Sequence, residues 1–83
     1  MANLKLEIIS REGILFNGEC HMAVVPSVLG DIGFMFGHEI VIASLREGSI
    51  LIYSEKDTLI KSFAVVSGFV KMQDQEKLLV LID

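Results

Sequence analysis

Long hydrophobic runs are missing from these 83 residues, although apolar side chains make up 52% of them. The longest runs are only four or five residues, among them Met22–Val25, Ile40–Ala43, Phe63–Val66 and Leu78–Ile82. All fall far short of the roughly 18 residues that a membrane-spanning helix requires. Cysteine is nearly missing too. Cys20 stands alone and has no internal disulfide partner, which points to a reducing compartment. Positive charge is scarce, with 7 Lys and Arg against 11 Asp and Glu and a net charge of −4. The cations are scattered from Lys5 to Lys77 and form no basic stripe, which argues against nucleic acid as a partner. The opening MANLKLEIIS has neither the apolar core of a signal peptide nor an Arg-rich transit pattern, so the expected location is cytoplasmic.

What is present is a period of two. Leu4-Lys5-Leu6-Glu7-Ile8 alternates apolar and charged residues, as a half-buried strand does. Ser49–Ser54 and Thr58–Val66 are rich in β-branched and aromatic residues and bounded by turn residues. Turn signals recur at Glu12-Gly13, Asn17-Gly18, Gly30-Asp31, Glu47-Gly48, Glu55-Lys56-Asp57 and Gln73-Asp74-Gln75. This pattern predicts an all-β fold, a small two-sheet sandwich or flattened barrel of about eight to ten short strands. It also predicts a single domain over residues 1–83, with no linker and no C-terminal helical domain. Glu39–Arg46 is the nearest approach to a helix, but Ile40, Val41 and Ile42 in succession favour strand. Leu78–Ile82 is apolar on both faces, so it should lie inside a structure, under a partner or a continuation of the chain.

The residues that could carry chemistry do not assemble into a site. Cys20 and His21 are neighbours on a predicted strand and would point to opposite faces, which prevents joint metal ligation. Adding Met22 or His38 restores no known zinc or copper spacing. No metal, cofactor or catalytic residue is predicted, and Cys20 reads as a small buried hydrophobe. Ser67-Gly68 lacks the flanking glycine of a nucleophile elbow. Val70-Lys71-Met72 is a faint echo of a biotin-carrier lysine, but Lys71 lies between strand-like residues rather than at a hairpin tip. Enzyme activity is therefore not expected.

Pro26–Gly48 is the most informative stretch. Gly30, Gly33, Gly37 and Gly48 punctuate it, His38 follows Gly37, and Phe34, Met35 and Phe36 supply large apolar groups. Two readings stand side by side: ordinary turns with His38 bonded to nearby backbone, or a shaped loop that docks a partner. The apolar composition favours some partner. A patch of about 400 Å², near the limit a monomer exposes, is worth ~10 kcal/mol gross when covered.

Within this stretch the sequence resembles the N-terminal β-sandwich of the epsilon subunit of the rotary proton-translocating ATP synthase. That family shows Val-x-Leu-Pro-Gly-x-x-Gly-x-(Phe/Leu)-Gly followed, after a hydrophobic pair, by Pro-Gly-His-Ala-Pro-Leu and a closing Leu-(Lys/Arg)-x-Gly. Pro26, Gly30, Gly33, Gly37, His38, Leu45, Arg46 and Gly48 match it without a gap. Two further blocks agree, Ile8-Ile9-Ser10 through Phe16-Asn17-Gly18-Glu19, and Phe63–Val70. The chain departs from the pattern at Ser27, Phe36 and Ile40, where the family has Gly, Pro and Pro, and the loss of two fixed φ angles implies a softer loop.

The resemblance implies a non-catalytic rotor subunit at the foot of the central stalk. Such a subunit docks the gamma subunit onto the c-ring and couples proton-driven rotation to ATP synthesis. It implies that Ser10, Phe36 and His38 face gamma and that Gly30 and Asp31 face the c-ring. It further implies a peripheral position on the cytoplasmic face of a bacterial inner membrane. The family's inhibitory helical arm has no counterpart in residues 1–83. The competing reading is a diverged β-sandwich adaptor that binds an unrelated protein.

Overall fold

A computed structural model describes residues 3–56 and 58–83. Nine strands follow in order: β1 Leu4–Ser10, β2 Gly13–Cys20, β3 Met22–Ser27, β4 Gly30–Met35, β5 Ile42–Leu45, β6 Gly48–Glu55, β7 Thr58–Val65, β8 Gly68–Met72 and β9 Lys77–Ile82. No helix occurs among the described residues. The all-β expectation and its strand count hold.

Alternation places the core. Leu4, Leu6 and Ile8 of β1 point inward, as do Ile50 and Ile52 of β6, Val70 and Met72 of β8, and Leu78 and Val80 of β9. Phe34 of β4 is the largest fully buried side chain. The charged partners Lys5 and Glu7 face outward, as a period of two requires.

The strands hydrogen-bond in the order β2-β1-β9-β8-β5-β3-β6-β7, with β4 paired to the remaining edge of β3. Strand β3 is the corner. It pairs with β4 along its whole length, while its other edge takes β6 at Met22–Val24 and β5 at Ser27. The two ends of the order curl toward each other, and Phe16 on β2 meets Phe63 on β7 edge-on at 6.4 Å between centroids. Curling lets one sheet bury an apolar face against itself.

All these pairings are antiparallel except β1 with β9, which run parallel with Leu6 opposite Leu78 and Ile8 opposite Val80. The β9 expectation is met on one face only. Its inner residues are buried, whereas Leu79 is half-buried and Leu81 exposed on the outer face.

Four sequence expectations need correction. The turn expected at Gly30-Asp31 falls at Val28-Leu29, with Gly30 and Asp31 opening β4, and Ile40 and Val41 lie outside any strand, β5 beginning only at Ile42. Asn17-Gly18 is not a turn but lies within β2, opposite Glu7 and Leu6. His21 is not on a strand with Cys20; Cys20 ends β2 and His21 occupies the bend before β3.

Candidate functional site

Residues Pro26–Gly48 divide between opposite ends of the molecule. At one end β3 turns into β4 through Val28 and Leu29, with Ser27 paired to Gly30. Ser27 is fully buried; its Oγ donates to the Gly30 carbonyl at 2.6 Å and accepts from the Leu29 N–H at 3.1 Å. One hydroxyl thus satisfies both a donor and an acceptor of the turn. No described non-glycine residue has positive φ, so the left-handed step falls to Gly30 at φ 123°.

Arg46 braces this turn from the β5–β6 connection. Its backbone N–H donates to the Pro26 carbonyl at 2.8 Å, and its Nε donates to the Ser27 carbonyl at 3.0 Å. The guanidinium also donates from Nη1 to the Glu47 carbonyl at 3.2 Å and from Nη2 to Asp31 Oδ1 at 2.9 Å. The Val28 N–H donates to the Ser44 carbonyl at 2.9 Å, tying the turn to β5. The product is an ordered tip that holds two apolar side chains outward, Val28 at 57% and Leu29 at 90% exposure.

At the other end β4 runs into Phe36, Gly37 and His38. The Gly37 N–H donates to the Gln75 carbonyl at 2.7 Å, and the His38 N–H donates to the Met35 carbonyl at 3.1 Å. The His38 ring leans on buried Phe34 with centroids 4.6 Å apart. Its Nδ1–H donates to the Glu39 carbonyl at 2.8 Å, which leaves Nε2 as the acceptor of the neutral ring. Phe36 is 44% exposed and lines a shallow groove of about 290 Å³ with Asp74, Gln75 and Glu76. Of the three apolar residues in the run, Phe34 belongs to the core, while Met35 and Phe36 face out.

Ser10 lies elsewhere. It closes β1, where its Oγ accepts from the Glu12 N–H at 3.2 Å and donates to the Gly13 carbonyl at 3.4 Å. Lys5, at the start of β1, is tied to Glu76 of the turn that holds Gly37. Ser10 is five residues further on, roughly 17 Å at the rise of a strand. Five predicted residues therefore fall into two groups, Phe36 with His38 at one end, and Gly30 with Asp31 and Ser10 at the other.

Three features had escaped the sequence reading. One is the bracing role of Arg46, which depends on β5 folding back over Ser27. The second is the tip pair Val28-Leu29, for which two apolar residues in a tight turn were the available signal. The third is an outer-face row in which Ile9 opposes Leu81, and Leu81 opposes Phe69. Phe69 is 58% exposed there and Leu81 43%.

Cys20 is buried, and desolvation pushes its thiol pKa up to about 11. It stays protonated at neutral pH and is chemically quiet. Lys71 sits within β8, between Val70 and Met72.

Comparison with known proteins places this geometry. A family model described as "ATP synthase, Delta/Epsilon chain, beta-sandwich domain" matches residues 3–83. The ATP synthase epsilon chain of Sulfurimonas denitrificans is 34% identical over 83 residues, all of this chain and 62% of the relative. That of Campylobacter fetus subsp. fetus is 32% identical over 83 residues, again all of this chain and 63% of the relative. The chain thus spans less than two thirds of the length of these relatives.

Among solved structures, a chain in the Euglena gracilis mitochondrial ATP synthase OSCP/F1/c-ring assembly superposes with a TM-score of 0.87 at 16% identity, covering 99% of this chain and 51% of that one. A chain in the Tetrahymena thermophila mitochondrial ATP synthase central stalk and c-ring does so with a TM-score of 0.78 at 11% identity, covering 95% and 62%. At such identities these superpositions speak to fold, while the match over residues 3–83 speaks to descent. The chain belongs to the family of ATP synthase delta/epsilon-chain β-sandwich domains.

Proposed function

We propose that this domain is a non-catalytic part of an ATP synthase rotor, held between a gamma subunit and a c-ring and passing torque from one to the other. The observation that carries the reading is the family match over residues 3–83. In this reading Phe36, His38 and Ser10 meet gamma, and Gly30 and Asp31 meet the c-ring. Because Ser10 is roughly 17 Å from the histidine end, a gamma subunit that touches both runs along the length of the sheet. A curled sheet in which every strand is hydrogen-bonded to a neighbour suits this duty, since a part that transmits torque must not deform under it. Phe36 projects beside an ordered His38, which gives gamma an apolar anchor with a fixed neighbour.

The domain reaches the membrane through the ring, on the cytoplasmic face in a bacterium. No helix among the described residues is long and apolar enough to cross a bilayer. Size-exclusion chromatography of the domain mixed with gamma subunit at micromolar concentration is the test. Co-elution is expected, and Phe36→Asp should weaken it while the melting of the free domain stays unchanged. Separate elution of the unsubstituted domain overturns the reading in favour of a free-standing adaptor.

A further inference from the structure

We infer that Lys61 guards the free edge of β7 and keeps that strand from pairing with β7 of a second copy of the domain. The inference stands apart from the rotor reading and concerns how the free domain stays single.

Strand β7 closes one end of the strand order, and among the described residues only β6 pairs with it. Its other edge therefore offers unpaired N–H and C=O groups to any extended chain. Every residue of β7 before Val65 is exposed or half-buried, and Leu59 and Ile60 are exposed apolar groups. An edge of this kind associates unless something opposes it.

Two features oppose it. The first is a bulge. Lys61 pairs with Ile52 and Leu59 with Tyr53, so Ile60 is an extra residue that β6 does not match. A bulge bends and twists an edge, which spoils its fit to a newcomer. The regular run that remains is Lys61–Val65, opposite Ile52 through Gly48.

The second feature is Lys61 itself. Its ladder partner Ile52 is fully buried, as is Ile50, the partner of Phe63. Directly opposed residues share a face, so Lys61 stands on the core side of the sheet. Its Nζ lies 5.7 Å from the centroid of the Phe63 ring. Phe63 in turn meets Phe16 of β2, so the ammonium sits beside the mouth where the two ends of the order approach. Lys61 is exposed there, its stem over apolar surface and its charge in water.

A strand added to β7 would carry the core face past Lys61 and cover that charge. The run Lys61-Ser62-Phe63-Ala64-Val65 has no acidic side chain, so a second copy brings no counter-ion. It brings its own Lys61 to the same seam instead, adding repulsion to the cost of desolvation.

Sedimentation velocity of the domain, from micromolar to submillimolar concentration, tests this. The unsubstituted domain, Lys61→Arg and Lys61→Glu should stay monomeric, because each keeps a charge on the core side. Lys61→Val and Lys61→Thr should self-associate at least about tenfold more tightly. Both should melt no lower than the unsubstituted domain, since both residues favour strand. Amide exchange across residues 61–65 should slow as they associate.

Monomeric Lys61→Val and Lys61→Thr overturn the inference, as does an unsubstituted domain that associates as tightly as they do. So does association by Lys61→Glu, or association of the valine variant that leaves exchange across residues 61–65 unchanged. Loss of folding in both neutral variants would show that Lys61 supports the core instead of guarding an edge, and overturns it too.

Discussion

The two ends of this domain are held by different means. The tip end adds side chains to its backbone bonds to Ser44 and Arg46: a buried serine inside the turn, an arginine across it and an ion pair at its rim. The histidine end is fastened mostly by backbone, through Gly37 to Gln75 and Met72 to Val41, with the His38 ring tilted against Phe34. The first arrangement fixes a small feature whose outward groups are Val28 and Leu29. The second leaves residues 38–41 outside any strand and anchors them at single points. Rigidity at the tip thus depends on a few named side chains, whereas rigidity at the histidine end depends on the register of β8 and β9.

The largest break in this comparison should come from Gly68→Ala. Gly68 has φ 152°, and an added methyl would overlap the Leu81 carbonyl oxygen where β8 meets β9. The backbone on both sides is committed to the ladder, so the expected loss is about 3 kcal/mol, read as a fall in the denaturation midpoint. Ser27→Ala comes next. It strips the turn of both internal hydrogen bonds and should cost about 1–2 kcal/mol. Amide exchange at Leu29 should accelerate while exchange at Gly37 stays unchanged, and equal acceleration at both ends would erase the distinction drawn here.

Arg46→Ala should cost about 1 kcal/mol or less, because its ion pair with Asp31 is exposed and screened. Most of that loss should survive in high salt, since the carbonyl contacts are its larger part. The smallest effect is a gain at the other end. Ile40 is exposed, and its N–H has no hydrogen-bond partner among the described residues. Ile40→Pro should therefore stiffen the histidine loop and raise stability by about 0.5 kcal/mol. Thermal melts check both Arg46→Ala and Ile40→Pro.

The sequence made some of this plain and concealed the rest for physical reasons. The β1 pattern of alternating Leu, Lys, Leu, Glu and Ile announces its own burial, because period two leaves only one face for the core. Asn17-Gly18 misled because β2 ends the strand order, and an edge strand tolerates residues that a central one rejects. Phe34, Met35 and Phe36 read as one apolar run, yet the pleat of β4 sends Phe34 inward and Met35 outward. Ser10 and His38 could be grouped by resemblance, but their separation follows from the parallel β1–β9 pairing, a contact between the two ends of the sequence. Local pattern determines which way a residue faces. Which end of the molecule it occupies is a matter of topology.

The β1–β9 pairing also bears on how the domain is made. Leu6 and Ile8 find their ladder partners in Leu78 and Val80, more than seventy residues later in the chain. On the ribosome β1 emerges first and has only the β2 hairpin for company until β9 is synthesised, so its other edge stays unpaired through most of translation. Non-local closure of this kind is slow, on the order of milliseconds to seconds for all-β domains. An apolar strand waiting that long is a target for chaperones or for another nascent chain. The seam one strand in from the β2 end of the sheet is the last to close and the point at which synthesis of the domain is most exposed to failure.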